Sequence, residues 1–269
     1  MKLIFSEYKS DYANYIFPYA VWAFPEKGET AADLFNAGFL PSSRELDRFY
    51  LCRHLRVALE KFKPSSENRR VMRKNPGIEA VLLPRAEFDY DDNRREFYKT
   101  YADIRFGKDV MTYDRLDALF NSPITSHVLV FIDTKTRAEI GVTTLYLQGD
   151  MAYYYYAFYD LGYYARNLGM HMMTAAVKFF AEKKFRHLYL GSCYTSNALY
   201  KTQFAGVEFF NGIQWSRNIE ELKYLITREK KEVRQHLLET LDYRAAYWEN
   251  SLDSIQSATQ FKVKLSVSG

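Results

Sequence analysis

The sequence predicts an α+β protein in which a mixed sheet is flanked by helices and an N-terminal α/β region packs on that sheet. Two observations predict it. Strands and helices follow one another between 127 and 216 around a single glycine turn, and the part before that is largely polar with a helical texture. Of the 269 residues, 48% are hydrophobic and 26% charged, so the chain is able to bury a substantial core.

Composition excludes several classes of protein. The net charge of +4 is compatible with a nucleic-acid partner without requiring one. Two cysteines, Cys52 and Cys193, are too few for a disulfide framework or a four-cysteine metal site. The first residues lack the apolar run of a signal peptide, and no apolar run reaches the length of a membrane span. We therefore expect a cytoplasmic protein.

The pattern of residues 127–216 predicts the mixed sheet. Two strands and a Gln148–Asp150 turn lead into a tyrosine-rich strand, and a helix follows the glycine turn. The predicted strands are 127–133, 139–147, 151–159, 186–190 and 207–215, with helices at 170–184 and after Thr195 or Ser196. Beyond them we expect one amphipathic helix over 219–249.

The N-terminal region is less regular. We interpret the aromatic run 12–24 as a buried or ligand-lining segment rather than a regular strand, 29–38 as a short helix closed by glycine, and 48–62 as a strand with one wet face. Residues 84–120 have a helical texture. We place a boundary near 122–126 and divide the chain into 1–125, 126–217 and 218–269.

The strongest charge cluster lies at 61–74, where six basic residues accompany one acid. Ser65 or Ser66 suits the start of a helix after Pro64. The basic residues Arg69, Arg70, Arg73 and Lys74 then recur at helical spacing. Both a phosphate-binding helix and a solvated helix face fit this pattern.

The tyrosine strand and the turn after it suggest a second contact with phosphate. Backbone N–H groups at a helix start attract anions, so Arg166 and Gly169 ahead of the helix fit that role, with a purely structural turn as the alternative. Strict alternation puts Tyr154 and Tyr156 on one side of the strand and Tyr153 and Tyr155 on the other. One set, for which we choose Tyr154 and Tyr156, lines a cleft where rings stack on a terminal adenine, and the other set is core.

This order of elements is similar to the core of the GNAT fold, in which an acyl donor binds beside a splayed strand and a glycine turn. The resemblance implies a V-shaped split between the strands 151–159 and 186–190. The stretch Phe62-Lys63-Pro64-Ser65, followed by Asn68-Arg69-Arg70-x-x-Arg73-Lys74-Asn75, resembles the FxPSxxxRRxxRRN motif of arginyl/leucyl-tRNA–protein transferases. The segments 157–160, 166–169, 188–191 and 200–204 resemble that family's YTFYDP, RSLG, YLG and MxYKxxFxP blocks in the same order.

The sequence departs from that family at three places. Only Cys52 stands where many members carry an N-terminal cysteine cluster, so no iron–sulfur or haem-like metal is expected. Leu161 replaces the proline after Asp160, and Ala205-Gly206 replaces the Phe-x-Pro continuation.

The resemblance implies transfer of an amino acid of the Arg or Leu type from aminoacyl-tRNA to the N-terminal amine of acceptor proteins, which marks them for degradation. No covalent nucleophile is required, because the α-amine itself attacks the ester. The implied catalytic residues are Asp160, orienting the amine, and Tyr200 and Lys201, polarising the ester or assisting the leaving oxygen. Asp160 equally suits a helix cap or an ion pair. Aminoacyl-tRNA is the co-substrate, and we expect no cofactor, no metal and no membrane partner.

Two other functions remain open at this point. A GNAT-type acetyltransferase using acetyl-CoA would share the fold, although the basic segment 61–74 favours tRNA. A non-catalytic RNA- or protein-binding relative would keep the fold without the chemistry.

Overall fold

The N-terminal part of the chain forms a small antiparallel sheet of its own. The computed structural model describes residues 1–261. The elements here are β1 (Lys2–Glu7), β2 (Tyr19–Phe24), α1 (Ala31–Asn36), β3 (Phe39–Pro41) and β4 (Phe49–Leu51), in the sheet order β1-β2-β4-β3. Thr30 and Asp33 cap α1 reciprocally, which satisfies two of its free N–H groups. The expected helix at 29–38 is thus confirmed, whereas the second half of the run 12–24 is a regular strand, contrary to expectation.

A second sheet of eight strands forms the body of the molecule. Its elements are β5 (His54–Ala58), α2 (Ser66–Lys74), β6 (Ile78–Pro84), α3 (Asp92–Phe106), α4 (Tyr113–Phe120), β7 (His127–Asp133), β8 (Glu139–Gln148), β9 (Met151–Tyr159), α5 (Leu168–Glu182), β10 (His187–Ser192), β11 (Val207–Phe210) and β12 (Trp215–Ser216). The strand order is β12-β11-β5-β10-β9-β8-β7-β6. All pairings are antiparallel except β9 with β10.

The predicted boundary near 125 does not separate two sheets. Strand β6 pairs with β7 along its whole length, and β5 lies between β10 and β11. Both strands precede the boundary, so the sheet begins well before residue 126. The expected strand 48–62 is also interrupted: β4 belongs to the small sheet and β5 to the large one.

The small sheet packs on the large one through aromatic side chains. Phe35 of α1 lies 5.0 Å, ring centre to ring centre, from both Tyr153 of β9 and Tyr189 of β10. A Cβ at Gly38 would lie 2.6 Å from the ring of Phe210, so only glycine permits this approach. The predicted packing of an N-terminal α/β region on the mixed sheet is confirmed.

The C-terminal segment is not the single helix expected over 219–249. It forms α6 (Ile219–Arg228), α7 (Leu241–Trp248) and α8 (Leu252–Ala258), with an irregular connection between the first two. The leucines of 219–249 that suggested one apolar face therefore lie on separate elements. The last eight residues of the expected tail lie outside the described part of the chain.

Candidate active site

The centre of the large sheet opens into a cleft. Strands β9 and β10 pair only through residues 151–153 and 187–189 and then diverge. This is the predicted V-shaped split. The cleft has a volume of about 440 Å³ and lies between β9, β10, α3 and the start of α5. The cleft occupies the space that β9 and β10 would fill if their parallel pairing continued.

A bulge in β9 changes which tyrosines face the cleft. Between Thr143–Ala157 and Leu145–Tyr154 the register shifts, so β9 carries one residue more than β8. The hydroxyl of Thr144 accepts the N–H of Tyr156 at 3.1 Å and holds the bulge. As a result Tyr154, Tyr155 and Tyr156 all line the cleft, and the strict alternation expected from the sequence is broken.

Five of the predicted site residues come together here. They are Tyr154, Tyr156, Gly169, Tyr200 and Lys201. Tyr154 is 5% exposed, so it is a wall of the cleft rather than a free stacking platform, while Tyr200 is 48% exposed and stands at the mouth.

The start of α5 borders the cleft and has no side-chain cap. Asn167 precedes the helix in the left-handed conformation, with φ 57° and ψ 45°, and its side chain makes no capping hydrogen bond. Asn167, Gly169 and Met170 all line the cleft. An uncapped helix start carries partial positive charge and attracts anions, so this end of the cleft suits a phosphate or a developing oxyanion.

Lys201 supplies a cation at the wall of the cleft next to β10. Its Nζ donates to the carbonyl oxygen of Ser192 at 3.2 Å, which places it beside the end of β10. Burial lowers the pKa of Lys201 from its ordinary value. A charged amine here is poised to stabilise negative charge or to release a proton.

Arg105 is a second cation of the cleft that the sequence analysis missed. It is exposed on α3, and its guanidinium lies 5.3 Å from the ring centre of Tyr164. Tyr101 lies one turn earlier on α3 and lines the cleft as well. The helical spacing of Tyr98, Tyr101 and Arg105 was the available signal, because it places the arginine on the face that carries the aromatic stripe.

Asp160 and Arg166 lie outside the residues that line the cleft. The carboxylate of Asp160 accepts the N–H of Gly162 at 2.8 Å and caps a short 3-10 turn, the structural alternative for this residue. Arg166 donates through Nε to the carbonyl oxygen of Lys74 at 3.2 Å and stacks 4.8 Å from the ring of Tyr163. Their catalytic and phosphate-binding roles stay predictions.

The basic helix α2 forms as expected and packs beside α5. Ser65 caps it, and buried Asn75 at its end donates to the carbonyl oxygen of Arg166 at 2.8 Å. Among the four predicted phosphate contacts, Arg70 is paired with Glu67 and Arg69 donates to the carbonyl oxygen of Pro64. Within residues 1–261 the exposed side chains of Arg73 and Lys74 make no hydrogen bond or ion pair, so they are the two most available cations of this helix.

Neither cysteine and neither buried histidine offers an alternative centre. Burial raises the pKa of Cys52 to about 12 and lowers those of His54 and His171 to about 3 and about 4. Over residues 1–261, no three His, Cys, Asp or Glu side chains are grouped as metal ligands. No helix in the same part of the chain is long and apolar enough to span a membrane.

The chain is similar in sequence to a curated protein and, over part of its length, in fold to solved structures. An aspartate/glutamate leucyltransferase from Ruegeria pomeroyi is 29% identical over 205 residues, which cover 70% of this chain and 74% of the relative. No protein-family model matches. Among solved structures, FemX is 9% identical with a TM-score of 0.40, over 52% of this chain and 53% of that one. L-PGS from Bacillus licheniformis is 12% identical with a TM-score of 0.41, over 55% and 48%. The chain thus spans about half the length of each of these two structures.

The splayed strands, the uncapped helix start and the cleft between them define a GNAT-like acyltransferase fold. Within that class, the chain is similar in sequence to an aspartate/glutamate leucyltransferase. The ordered motifs from Phe62 to Phe204, which resemble those of aminoacyl-tRNA–protein transferases, are consistent with this similarity.

Proposed function

We propose that this protein transfers an amino acid from aminoacyl-tRNA to the N-terminal amine of an acceptor protein. The observation that carries the proposal is the cleft between β9 and β10, which joins an uncapped helix start to two cations, Arg105 and Lys201. Such a cleft is suited to an activated ester next to a phosphate.

The reaction itself needs little covalent chemistry. The neutral amine nitrogen attacks the ester carbonyl carbon, a C–N bond forms, and the C–O bond to the terminal ribose of tRNA breaks. The amine loses a proton and the leaving ribose oxygen gains one. An α-amine with a pKa of about 7.7–8.0 is partly neutral at physiological pH, so alignment and charge stabilisation are the main tasks of the protein.

The charges favour entry of the tRNA from the side of α2. Arg73 and Lys74 are exposed there, and α2 is joined to the turn before α5 through Asn75. A tRNA backbone lying on α2 would bring its 3′ end toward the start of α5. Lys201 would then face the ester and stabilise the oxyanion, and Tyr200 would stand at the mouth of the cleft.

The relative's name supports the choice of substrates. By its name, the Ruegeria pomeroyi protein transfers leucine and acts on aspartate or glutamate. We extend this to an acceptor that begins with Asp or Glu and a donor of the Leu or Arg type, so that the product carries a degradation signal. Charged tRNA is the only co-substrate in this proposal, and the reaction belongs to the cytoplasm, where charged tRNA is abundant.

The test is direct. Purified protein is incubated with total aminoacylated tRNA and four peptides that differ only in their first residue, Asp, Glu, Arg or Lys. Mass spectrometry then identifies any added residue and its position. We expect addition of a single leucine or arginine to the N-terminus of the acidic peptides, abolished when the tRNA is deacylated beforehand.

Two parallel reactions separate the alternatives. If acetyl-CoA replaces charged tRNA and the peptides gain an acetyl group, the protein is an acetyltransferase. If labelled tRNA binds but no peptide gains mass with either donor, the protein is a non-catalytic binding relative. Either result contradicts the proposal.

A further inference from the structure

A second cavity lies on the other side of the tyrosine bulge. It has a volume of about 400 Å³ and is located between the loop after β3 and the end of α4. Ser42, Ser43, Arg44 and Glu45 of that loop line it together with Ser122 and Tyr155. The cavity is therefore formed partly by the small N-terminal sheet and partly by the large domain.

Tyr155 belongs to both cavities. Its ring lies 4.6 Å from that of Tyr156 and 5.1 Å from that of Tyr153, because the bulge turns Tyr155 and Tyr156 to one side. Tyr155 lines the active-site cleft as well as the second cavity. The proposed ester site and the second cavity therefore meet at this side chain.

The charge of the second cavity comes from Arg44. The loop is anchored by its backbone, since the carbonyl oxygen of Arg44 accepts the N–H of Ile124 at 3.1 Å. The guanidinium is half-buried, and within residues 1–261 no carboxylate lies within ion-pair distance of it. Burial raises the pKa of Tyr155 to about 12, and the nearby charge of Arg44 opposes that rise. Glu45 is exposed and makes no ion pair in the same part of the chain.

The half-buried guanidinium of Arg44 fits a carboxylate. Ser42 and Ser122 already donate to the carbonyl oxygens of Arg48 and Leu119, so the Ser43 hydroxyl is the serine donor left for a ligand. Guanidinium binds carboxylate through two parallel hydrogen bonds, and a free hydroxyl can donate to one of the remaining lone pairs. A leucyl side chain would leave the Arg44 guanidinium without a partner, so the cavity does not suit an apolar acyl group.

A transferase that joins two macromolecules needs a separate binding surface for each of them next to its active-site cleft. The exposed cations of α2 lie beside α5, whose start lines the cleft, while the second cavity opens between the small sheet and α4. We propose that the second cavity receives the first residue of the acceptor protein and that Arg44 binds the side-chain carboxylate of an N-terminal Asp or Glu. Arg44 is then the residue that selects acidic acceptors. This inference rests on the proposed function.

The test compares Arg44→Gln with Arg48→Gln in the full chain. Arg48 lies in the same loop, is exposed and does not line the cavity, which makes it a matched control. Steady-state transfer is measured with Asp- and Glu-initiated peptides and their Asn- and Gln-initiated counterparts. For Arg44→Gln we expect KM for the acidic peptides to rise roughly ten- to a hundredfold, since a hydrogen bond to a charged group is lost. The KM for aminoacyl-tRNA stays unchanged, and Arg48→Gln behaves as wild type.

Peptide binding gives a readout that does not depend on transfer. Fluorescence anisotropy of a labelled Asp-initiated peptide measures affinity for wild-type protein and for Arg44→Gln. Wild-type protein that binds the peptide through Arg44 but transfers nothing would contradict the proposed function and leave the binding site standing.

Two outcomes would overturn the site. One is unchanged KM and affinity for acidic peptides in folded Arg44→Gln. The other is a raised KM for aminoacyl-tRNA instead, which would place the cavity on the donor side. If Arg44→Gln unfolds, Arg44→Lys keeps the charge without the planar fork and is expected to retain the acidic preference at weaker affinity. Affinity and KM for acidic peptides equal to wild type in folded Arg44→Lys would contradict the bidentate contact, and loss of the acidic preference despite the retained charge would overturn the site.

Discussion

Gly169 determines how closely α5 approaches the tyrosine strand. A Cβ at this position would lie 2.9 Å from Cε1 of Tyr159, closer than side-chain atoms pack. The ring of Tyr159 cannot easily yield, because it also packs with its centre 4.8 Å from that of the Tyr101 ring. Glycine therefore brings the uncapped helix start next to β9, where the cleft needs it.

We predict that Gly169→Ala destabilises the protein although it lies in a helix. Helix propensity alone would favour alanine by up to about 1 kcal/mol, whereas overpacking against Tyr159 costs about 1–3 kcal/mol, so the net change is a loss. The free energy of unfolding in urea measures it. In a Tyr159→Leu background the same substitution should become neutral or stabilising. A loss of equal size in both backgrounds would show that Tyr159 is not the obstacle.

Lys201 should shape the pH dependence of transfer. The rate rises as the acceptor amine loses its proton, with a pKa of about 8. It falls again when Lys201 loses its charge, and because burial lowers the pKa of Lys201, this fall comes at lower pH than an ordinary lysine would give. We predict that Lys201→Arg keeps activity and removes the alkaline fall, since arginine stays protonated.

The measurement is the initial rate from pH 6 to 10, corrected for spontaneous hydrolysis of the ester. Lys201→Gln should lower kcat by roughly 10²-fold or more, as expected for a lost charge-stabilising donor. If Lys201→Arg is inactive at every pH, Lys201 acts through its neutral form as a base, and the role assigned to its charge is wrong.

At the scale of elements, local periodicity predicted the strands β7, β8 and β9 and the helix α5 within a few residues. These elements could be predicted because period-two hydrophobic patterns and a glycine turn are signals within the local sequence. The bulge at Tyr155–Tyr156 carries no such signal, because it is fixed by Thr144 on the neighbouring strand. The sequence therefore predicted the cleft but placed Tyr155 in the core, because the bulge that turns Tyr155 into the cleft has no local signal.

The helix α2 shows why a charge run alone does not identify contacts. All four of its basic residues fit helical spacing, yet Arg70 is held by two hydrogen bonds to Glu67 and Arg69 by one to Pro64. Part of the basic set also suits a helix C-terminus, where cations interact favourably with the dipole. The sequence does not distinguish the four cations of α2. Their hydrogen-bond partners in the folded chain show which of them are available to bind phosphate.

We predict that Arg73→Ala with Lys74→Ala lowers the salt dependence of tRNA binding. Each lost phosphate contact should reduce the slope of log K against log salt concentration by about 0.7–0.9. Arg70→Ala should change the slope less, because Arg70 must first leave Glu67. Filter binding between 50 and 300 mM KCl measures the slopes, with Lys230→Ala/Lys231→Ala after α6 as a charge-matched control. Equal slopes for the α2 pair and wild type would make α2 a solvated face.

At the scale of the whole molecule, β5 explains why the predicted boundary near 125 does not divide the sheet. Every residue of this strand is buried, although Arg56 lies in its middle. Arg56 is paired with Glu208 at 2.9 Å and stacks 3.8 Å from the ring centre of Trp215. These partners lie far from β5 in the sequence. The local pattern of 48–62 therefore predicts that Arg56 lies on a solvent-exposed face, although the residue is buried.

We predict that the segment 126–217 does not fold by itself. Without β6, strand β7 has a bare edge, and without β5 a gap separates β10 from β11. The fragment should show no cooperative urea transition by circular dichroism, whereas the full chain should show one. A well-dispersed NMR spectrum of the fragment would restore the boundary as a true domain limit.

The position of β5 also has a consequence for synthesis. The N-terminal part of a chain leaves the ribosome first, but residues 54–58 find their partners only in 187–192 and 207–209. The strand must therefore wait, with its apolar side chains unburied, until most of the protein has been translated. Long-range pairing of this kind slows folding and exposes the nascent chain to aggregation. The protein is thus expected to reach its final topology late, and to depend on chaperones when it is produced quickly.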